Sequence, residues 1–182
     1  NTTASNNVAL GANSMNANTT GNQNVAVGTF SLDANTTGNY NVAVGYNALT
    51  ANTTAERNTA VGQSSLKVNT TGAYNTAVGQ GSLNDNTTAS KNTAIGYNAL
   101  SSNTDGGDNT ACGANALFSN TTAGSNTALG SRAGGGLTTG TNNIMIGLDS
   151  GYYTTITTDG PRNVIIGNYA MTSSPGGYDQ EV

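Results

Sequence analysis

The spacing of the glycines constrains the fold of this chain more than any other feature. Nine glycines follow one another at intervals of 17 residues, and a tenth follows after 20. A short segment recurs around them, as in residues 24–28 (NVAVG) and 92–96 (NTAIG). A fixed period of this length is typical of one supersecondary unit stacked on itself. The glycines are Gly11, Gly28, Gly45, Gly62, Gly79, Gly96, Gly113, Gly130, Gly147 and Gly167.

The composition indicates how thick the core of such a stack can be. Only 35% of the residues are hydrophobic and 5% aromatic, but only 8% are charged, which argues against a disordered chain. We therefore expect one thin apolar layer per coil. The sequence predicts an all-β parallel β-solenoid of about ten 17-residue coils with two short strands each. Stacked at the usual strand spacing, ten coils make a rod of roughly 45–50 Å.

Side chains alternate between two faces if the segment before each glycine is a strand. On this basis we expect the apolar column next to the glycine to point inward, with the Val or Thr two residues earlier at the edge of the core. The inward column would be Leu10, Val27, Val44, Val61, Val78, Ile95, Cys112 and Leu129. The earlier column is Val8, Val25, Val42, Thr59, Thr76, Thr93, Thr110 and Thr127.

Alanine occupies the position between these two columns in eight successive repeats. Alanine is a poor strand former, so the column predicts a second surface that approaches closely. The alternative is a small exposed residue that duplication has copied. The column comprises Ala9, Ala26, Ala43, Ala60, Ala77, Ala94, Ala111 and Ala128.

A second short strand is expected after the glycine, as in residues 46–49 and 63–66. Its leucine would be a second inward anchor, whereas the residue directly after the glycine varies and is expected to face solvent or a partner. The anchors are Met15, Leu32, Leu49, Leu66, Leu83, Leu100 and Leu117.

An asparagine opens every predicted strand. Stacked coils would place these side chains about 4.8 Å apart, a distance at which amides hydrogen-bond into a ladder. The residues are Asn7, Asn24, Asn41, Asn58, Asn75, Asn92, Asn109, Asn126, Asn143 and Asn163.

The pattern divides the chain into a regular array, residues 1–134, and divergent C-terminal coils with a tail, residues 135–182. Met145 and Ile165 replace alanine, and strands that are apolar on both faces predict burial on both sides. The three additional residues fall in the loop from Tyr152 to Arg162. Residues 173–177 are typical of a linker. We expect a cap, a partner chain or a following domain at this end.

The residues offer little for catalysis. There is no histidine, and the carboxylates occur singly at turn positions, as do Arg57 and Lys91. Asp105–Asp108 lacks the spacing of a calcium loop and is expected to be a turn. Cys112 is expected to be a small core residue in preference to a reactive thiol. We predict no enzyme activity, no catalytic or metal-binding residue and no cofactor.

The net charge of −4 comes from scattered residues, so no basic stripe points to nucleic acid or anionic lipid. No apolar run is long enough to span a membrane. The chain opens in the middle of a repeat without a visible signal peptide, and we expect it to be part of a longer or processed protein.

Asn-Thr-Thr recurs in the loops and fits the acceptor pattern for N-glycosylation, although Asn and Thr also form turns well. We favour turns over glycans. In an ice-binding solenoid, the threonines, such as Thr36 and Thr53, would form ladders on one face. We disfavour this alternative because neighbouring residues of a strand point to opposite faces. The acceptor asparagines are Asn1, Asn18, Asn35, Asn52, Asn69, Asn86 and Asn120.

The recurring Asn-[Val/Thr]-Ala-[Val/Ile]-Gly motif, followed by a small residue and Leu, resembles the head repeats of YadA-like trimeric autotransporter adhesins. The form with Tyr-Asn-Ala-Leu and Asn-Thr-Thr-Gly looks even more similar to repeat arrays of bacteriophage tail fibres. The resemblance covers residues 1 to about 171. It implies a left-handed parallel β-roll, often three parallel chains side by side. The longer repeat departs from the adhesin heads and implies an enlarged loop.

These observations favour an extracellular fibrous or adhesive segment on a cell surface, a secreted fibre or a virion tail. It would extend or present an attachment surface, and its partners would be copies of itself, as a homotrimer or an end-to-end filament, and a host-surface glycan or protein receptor. The alternatives are a self-assembling filament subunit, with or without glycans, and an ice-binding solenoid that uses Thr and Asn ladders.

Overall fold

The computed structural model describes residues 3–152 and 162–170, and all its regular secondary structure is one parallel sheet. The sheet has ten strands in the order β1 to β10, so each strand lies beside the next along the chain. Each coil contributes one strand of three residues. The strands are β1 Val8–Leu10, β2 Val25–Val27, β3 Val42–Val44, β4 Thr59–Val61, β5 Thr76–Val78, β6 Thr93–Ile95, β7 Thr110–Cys112, β8 Thr127–Leu129, β9 Ile144–Ile146 and β10 Val164–Ile166.

The strands pair residue for residue, so every coil lies directly above its neighbour. Ala43 pairs with Ala60, and Ala60 pairs with Ala77. The register survives the longer repeat near the C-terminus, where Met145 pairs with Ile165. The predicted parallel β-solenoid with a 17-residue coil is therefore confirmed, and the loop predicted from Tyr152 to Arg162 lies outside the described residues except for its two ends.

The expected sidedness of the strands is wrong. The middle residue of each strand points into the coil. The middle alanines of β2 to β8 are fully buried, whereas the residues on either side of them, such as Val42 and Val44, remain partly exposed. The alanines belong to one apolar cluster with the leucine anchors. The coil is so thin that each leucine fills the interior from the opposite wall and leaves room for only a methyl group. The close neighbour of the alanine column is therefore the chain itself.

The segment after the glycine forms turns, which corrects the prediction of a second strand in each coil. Asn47 and Leu49 both adopt positive φ, at 55° and 53°. The leucine anchors are nevertheless fully buried, as predicted. Coil-to-coil hydrogen bonds continue through the turns, where the Leu49 amide donates to the Ser65 carbonyl at 3.0 Å.

The glycine of each coil is required by close contact with the next backbone. Gly45 has a φ of 137°, a conformation that L-residues rarely adopt. A Cβ atom added there would lie 2.6 Å from the carbonyl oxygen of Gly62. The same contact recurs at each glycine of the period from Gly11 to Gly147, so the spacing reflects steric exclusion between successive coils.

The asparagines that open the strands form the predicted ladder, and all of those from Asn24 to Asn126 are fully buried. The backbone N–H of Asn58 donates to Asn41 Oδ1 at 3.0 Å, and Asn58 Nδ2 donates to the Gly72 carbonyl at 2.8 Å. Each amide therefore holds its own coil closed and also accepts a hydrogen bond from the next coil.

A second buried ladder comes from the Asn-Thr-Thr loops. Asn52 Nδ2 donates to Asn35 Oδ1 at 2.9 Å and to the Ala55 carbonyl at 3.0 Å. This ladder ends at Asn120, whose Oδ1 has no hydrogen-bond partner within residues 3–152 and 162–170, because Leu137 occupies the next rung. Two buried columns of amides thus flank the thin apolar core.

The C-terminal coils exchange the two core positions. Met145 takes the alanine position, and glycines at 134 and 151 take the leucine position. A Cβ atom on Gly134 would lie 2.7 Å from Met145 Sδ, so the methionine fills the space that a leucine fills elsewhere. Burial on both faces of these strands is wrong for the chain by itself, since Ile144 and Val164 are exposed. The linker predicted at 173–177 lies outside the described residues.

Leu83→Ala should destabilise the solenoid far more than Val78→Ala. The leucine is fully buried and the valine points outward, so we expect a loss of about 2–5 kcal/mol for the first and below about 1 kcal/mol for the second. Urea unfolding followed by circular dichroism measures both. Equal losses would contradict the observed sidedness.

Asn75→Ala should cost about 2–3 kcal/mol, because it leaves the buried backbone N–H of Asn92 without its acceptor and removes one of the two hydrogen bonds that the Ala89 carbonyl accepts. Asn84→Ala is the matched control, since among the described residues the Asn84 side chain is hydrogen-bonded to Asp85 alone, at the surface. Both are measured by urea unfolding. A cost no larger than that of the control would show that the ladder contributes little.

Met145→Ala should leave a cavity and lower the free energy of unfolding by about 2–5 kcal/mol. Gly134→Leu should overpack the core and lower it by about 1–3 kcal/mol. The double variant restores the usual alanine and leucine pair, so its loss should fall short of the sum by at least about 1 kcal/mol. A double-mutant cycle of urea midpoints provides the test. Strict additivity would show that the two residues do not share one space.

Candidate functional site

The outward side of the sheet is the most distinctive surface of the molecule. The first and third residues of each strand point outward and form two straight columns, which we call the outer face. No residue of either column is charged. The first column is Val8, Val25, Val42, Thr59, Thr76, Thr93, Thr110, Thr127, Ile144 and Val164. The third-residue column is Leu10, Val27, Val44, Val61, Val78, Ile95, Cys112, Leu129, Ile146 and Ile166.

The outer face carries large apolar side chains that are exposed in β1, β6 and β8 to β10 and partly exposed in β2 to β5. Exposure reaches 42% for Ile95, 38% for Leu129 and 64% for Val164. Parallel strands lie about 4.8 Å apart, and alternate residues of a strand lie about 7 Å apart. Ten strands therefore give a face of roughly 45 by 12 Å, about 500 Å², which is at the upper end for the largest apolar patch of a typical monomer.

Five threonines interrupt the apolar character of the first column. They occupy strands β4 to β8 without a gap, between valines on one side and Ile144 on the other. None of their hydroxyls makes a hydrogen bond to another residue of the described ranges 3–152 and 162–170. We call this set the hydroxyl block: Thr59, Thr76, Thr93, Thr110 and Thr127.

Cys112 lies on the outer face, which corrects its assignment to the core. It is a free and exposed thiol at the end of β7, with Ile95 and Leu129 as its neighbours in the column. The assignment failed because it followed from the wrong sidedness of the strand.

An aromatic and cationic stack borders the outer face on the side where the strands begin. The Arg57 guanidinium lies over the rings of Tyr40 and Tyr74, 5.5 and 5.4 Å from their centres, and Arg57 Nη1 donates to the Tyr74 hydroxyl at 2.8 Å. Sequence reasoning placed Arg57 in a solvated turn and missed the stack. The signal was present as Tyr, Arg and Tyr at 17-residue spacing.

Aromatic residues also border the outer face on the side where the strands end. Tyr46 and Tyr97, directly after their glycines, are about half exposed, as expected for that position. Phe30 packs edge-on against Tyr46 with ring centres 6.3 Å apart. Tyrosine and arginine are enriched at protein interfaces, so both borders suit contact with another protein.

The described residues contain no group of three or more His, Cys, Asp or Glu side chains that could hold a metal ion. Asp105 accepts a hydrogen bond from Thr88, and Arg132 pairs with the buried Asp149 while lying over Tyr152. Neither arrangement places two carboxylates together for acid–base chemistry. Within the same residues, no helix is long and apolar enough to cross a membrane.

The Asn-Thr-Thr loops serve the stacking of coils. Their asparagines from Asn18 to Asn120 are buried. Their first threonines donate to the next coil, as Thr36 Oγ1 does to the Thr53 carbonyl at 3.0 Å. A glycan on a buried asparagine would displace the ladder, so the geometry supports the turn interpretation. Asn1 lies outside the described residues.

Comparison with known proteins provides no relative for this chain. No family model, curated protein or solved structure matches it. Any function must therefore be argued from the fold and its surfaces.

Proposed function

We propose that the chain is a structural segment of an extracellular fibre that extends or presents an attachment surface, with no enzymatic role. The observation that carries the proposal is the continuous stack of coils. Nine successive strand pairings, two buried amide ladders and one apolar cluster run through the described residues. Such a stack resists bending and local opening, because each coil is held by both neighbours.

The proposal includes association of the chain with copies of itself through the outer face. The face carries no charge, so like copies do not repel across it. Two copies would bury about 1,000 Å² in total through this face alone, which lies near the lower bound for specific interfaces. The bordering Tyr40, Arg57 and Tyr46 add to this area. A homotrimer of parallel chains, which the family resemblance implies, is the alternative closed assembly and would turn the same faces towards its three-fold axis.

A filament subunit and an ice-binding solenoid remain as rivals, whereas a glycan or protein receptor would be a further partner of the fibre. An end-to-end filament would use the open edges of the terminal coils, and a glycan or protein receptor would bind some part of the surface of the rod. Ice binding through the Asn-Thr-Thr ladders is disfavoured, since hydroxyls such as that of Thr36 already donate to the neighbouring coil. Thermal hysteresis in dilute solution distinguishes ice binding from a purely structural role.

Light scattering across a dilution series should give a closed oligomer that is a small multiple of the 18.1 kDa chain. Mass that grows with concentration without limit would favour the filament, and a monomer at every concentration would contradict self-association.

The thiol of Cys112 provides an independent test of the outer face. In the assembly its reaction with a maleimide should be slowed at least about tenfold relative to dissociated chain, as for a group reached only when the contact opens. Thr54→Cys in a Cys112→Ser background is the control, because residue 54 is exposed on another side of the coil. Equal reaction rates at the two sites in an oligomer would show that another surface mediates association.

A further inference from the structure

We propose that the hydroxyl block sets the axial register between associated copies, an inference that rests on the proposed self-association through the outer face. In a face-to-face pair of antiparallel copies the two first columns lie opposite each other, and the block on one copy lies against the block on its neighbour. The coil stack creates the need for such a device. Because the backbone repeats at every coil, two rods that slip by one whole coil present nearly the same shape to each other.

Only the first column of the outer face distinguishes one register from another. Its side chains are Val in β1 to β3, Thr in β4 to β8, and Ile or Val in β9 and β10. The third-residue column is apolar except for Cys112, so it accepts many registers equally well. Register information therefore resides in the two boundaries of the hydroxyl block.

Hydrogen bonding explains why the block prefers to face itself. The five hydroxyls have no partner among the described residues, so each must find one across the contact or in trapped water. Threonine opposite threonine supplies a donor and an acceptor. A slip by one coil places Thr59 opposite Ile144, or Thr127 opposite Val42 when the slip is in the other direction, where a hydroxyl is desolvated without a partner.

Polar positions in an apolar seam have this effect in coiled coils, where one buried asparagine specifies the register at a cost in stability. The same trade applies to the outer face: valine at the five positions would bind more tightly and less specifically. The centre of the block is Thr93 in β6. In the antiparallel pair that level faces itself, so Thr93 lies opposite Thr93 and Ile95 lies opposite Ile95.

The test places cysteines at chosen levels of the outer face in a Cys112→Ser background. Ile95→Cys reports alignment, because Ile95 shares the central strand with Thr93. A second chain, with Val61→Cys and a tag that alters its mass, reports a slip of two coils when mixed with the first. After refolding together and mild oxidation, cross-links between two Ile95→Cys chains should exceed Ile95-to-Val61 cross-links by at least about tenfold.

Replacement of all five threonines by valine should preserve association and remove this preference, so that the two cross-links form in comparable amounts. Replacement of the five by serine is the matched control, because it retains the hydroxyls and should retain the preference. Circular dichroism melting confirms that each variant is folded. Preference that persists in the valine variant would overturn the proposal.

A variant that moves the block avoids any general loss of stability. Val42→Thr with Thr127→Val shifts the block by one coil towards the N-terminus. When mixed with chains of the natural pattern, the shifted chain with Val78→Cys should cross-link to Ile95→Cys, because the two block centres then face each other. Cross-linking that still favours Ile95 opposite Ile95 would contradict the inference.

Failure of the inference differs from failure of the proposed function. A monomer in light scattering overturns both. An oligomer in which Cys112 is protected, but in which the two cross-links form equally in the natural sequence, supports the outer face as the interface and overturns the role of the threonines.

Discussion

The rise of one strand spacing per coil is the constraint on which the rest of the structure depends. Every side chain has the equivalent residue of the next coil about 4.8 Å away. A residue can therefore be repeated in every coil only if its side chain packs or hydrogen-bonds favourably against a copy of itself. Asparagine does so because its amide both donates and accepts, and two columns of it are buried, from Asn24 to Asn143 and from Asn18 to Asn120. Charged residues do not, which explains why Arg57 lies between Tyr40 and Tyr74 and why Arg132 is followed by Asp149.

The period and the in-register stacking could be predicted from the sequence, but the inward side of the strand could not. Branched residues such as Val44 are usually buried, and alanine is usually an indifferent strand residue. That rule assumes a core wide enough for side chains from both walls. Here Leu49 fills the interior. The position of its side chain is set by turns in which Asn47 and Leu49 have positive φ. Local pattern rules for strands do not anticipate such turns.

The same error propagated to the candidate site. Because the valine column was assigned to the core, the outer face was not recognised as a surface, and Cys112 was also assigned to the core. The C-terminal coils carried the necessary signal. Met145 replaces an alanine where the leucine position becomes Gly134, and such an exchange of volumes only makes sense if both residues occupy one interior.

The turns have a consequence for how the rod forms. Each regular coil holds several residues other than glycine at positive φ, for example Asn47, Leu49 and Arg57, each at a cost of about 1–2 kcal/mol. A solitary coil has no neighbour whose hydrogen bonds offset that cost, so it does not persist. A folded coil supplies the hydrogen-bond partners that the next coil needs in order to fold. We therefore expect folding to nucleate slowly and to propagate rapidly from coil to coil. Unfolding should begin at the terminal coils while the central coils remain folded.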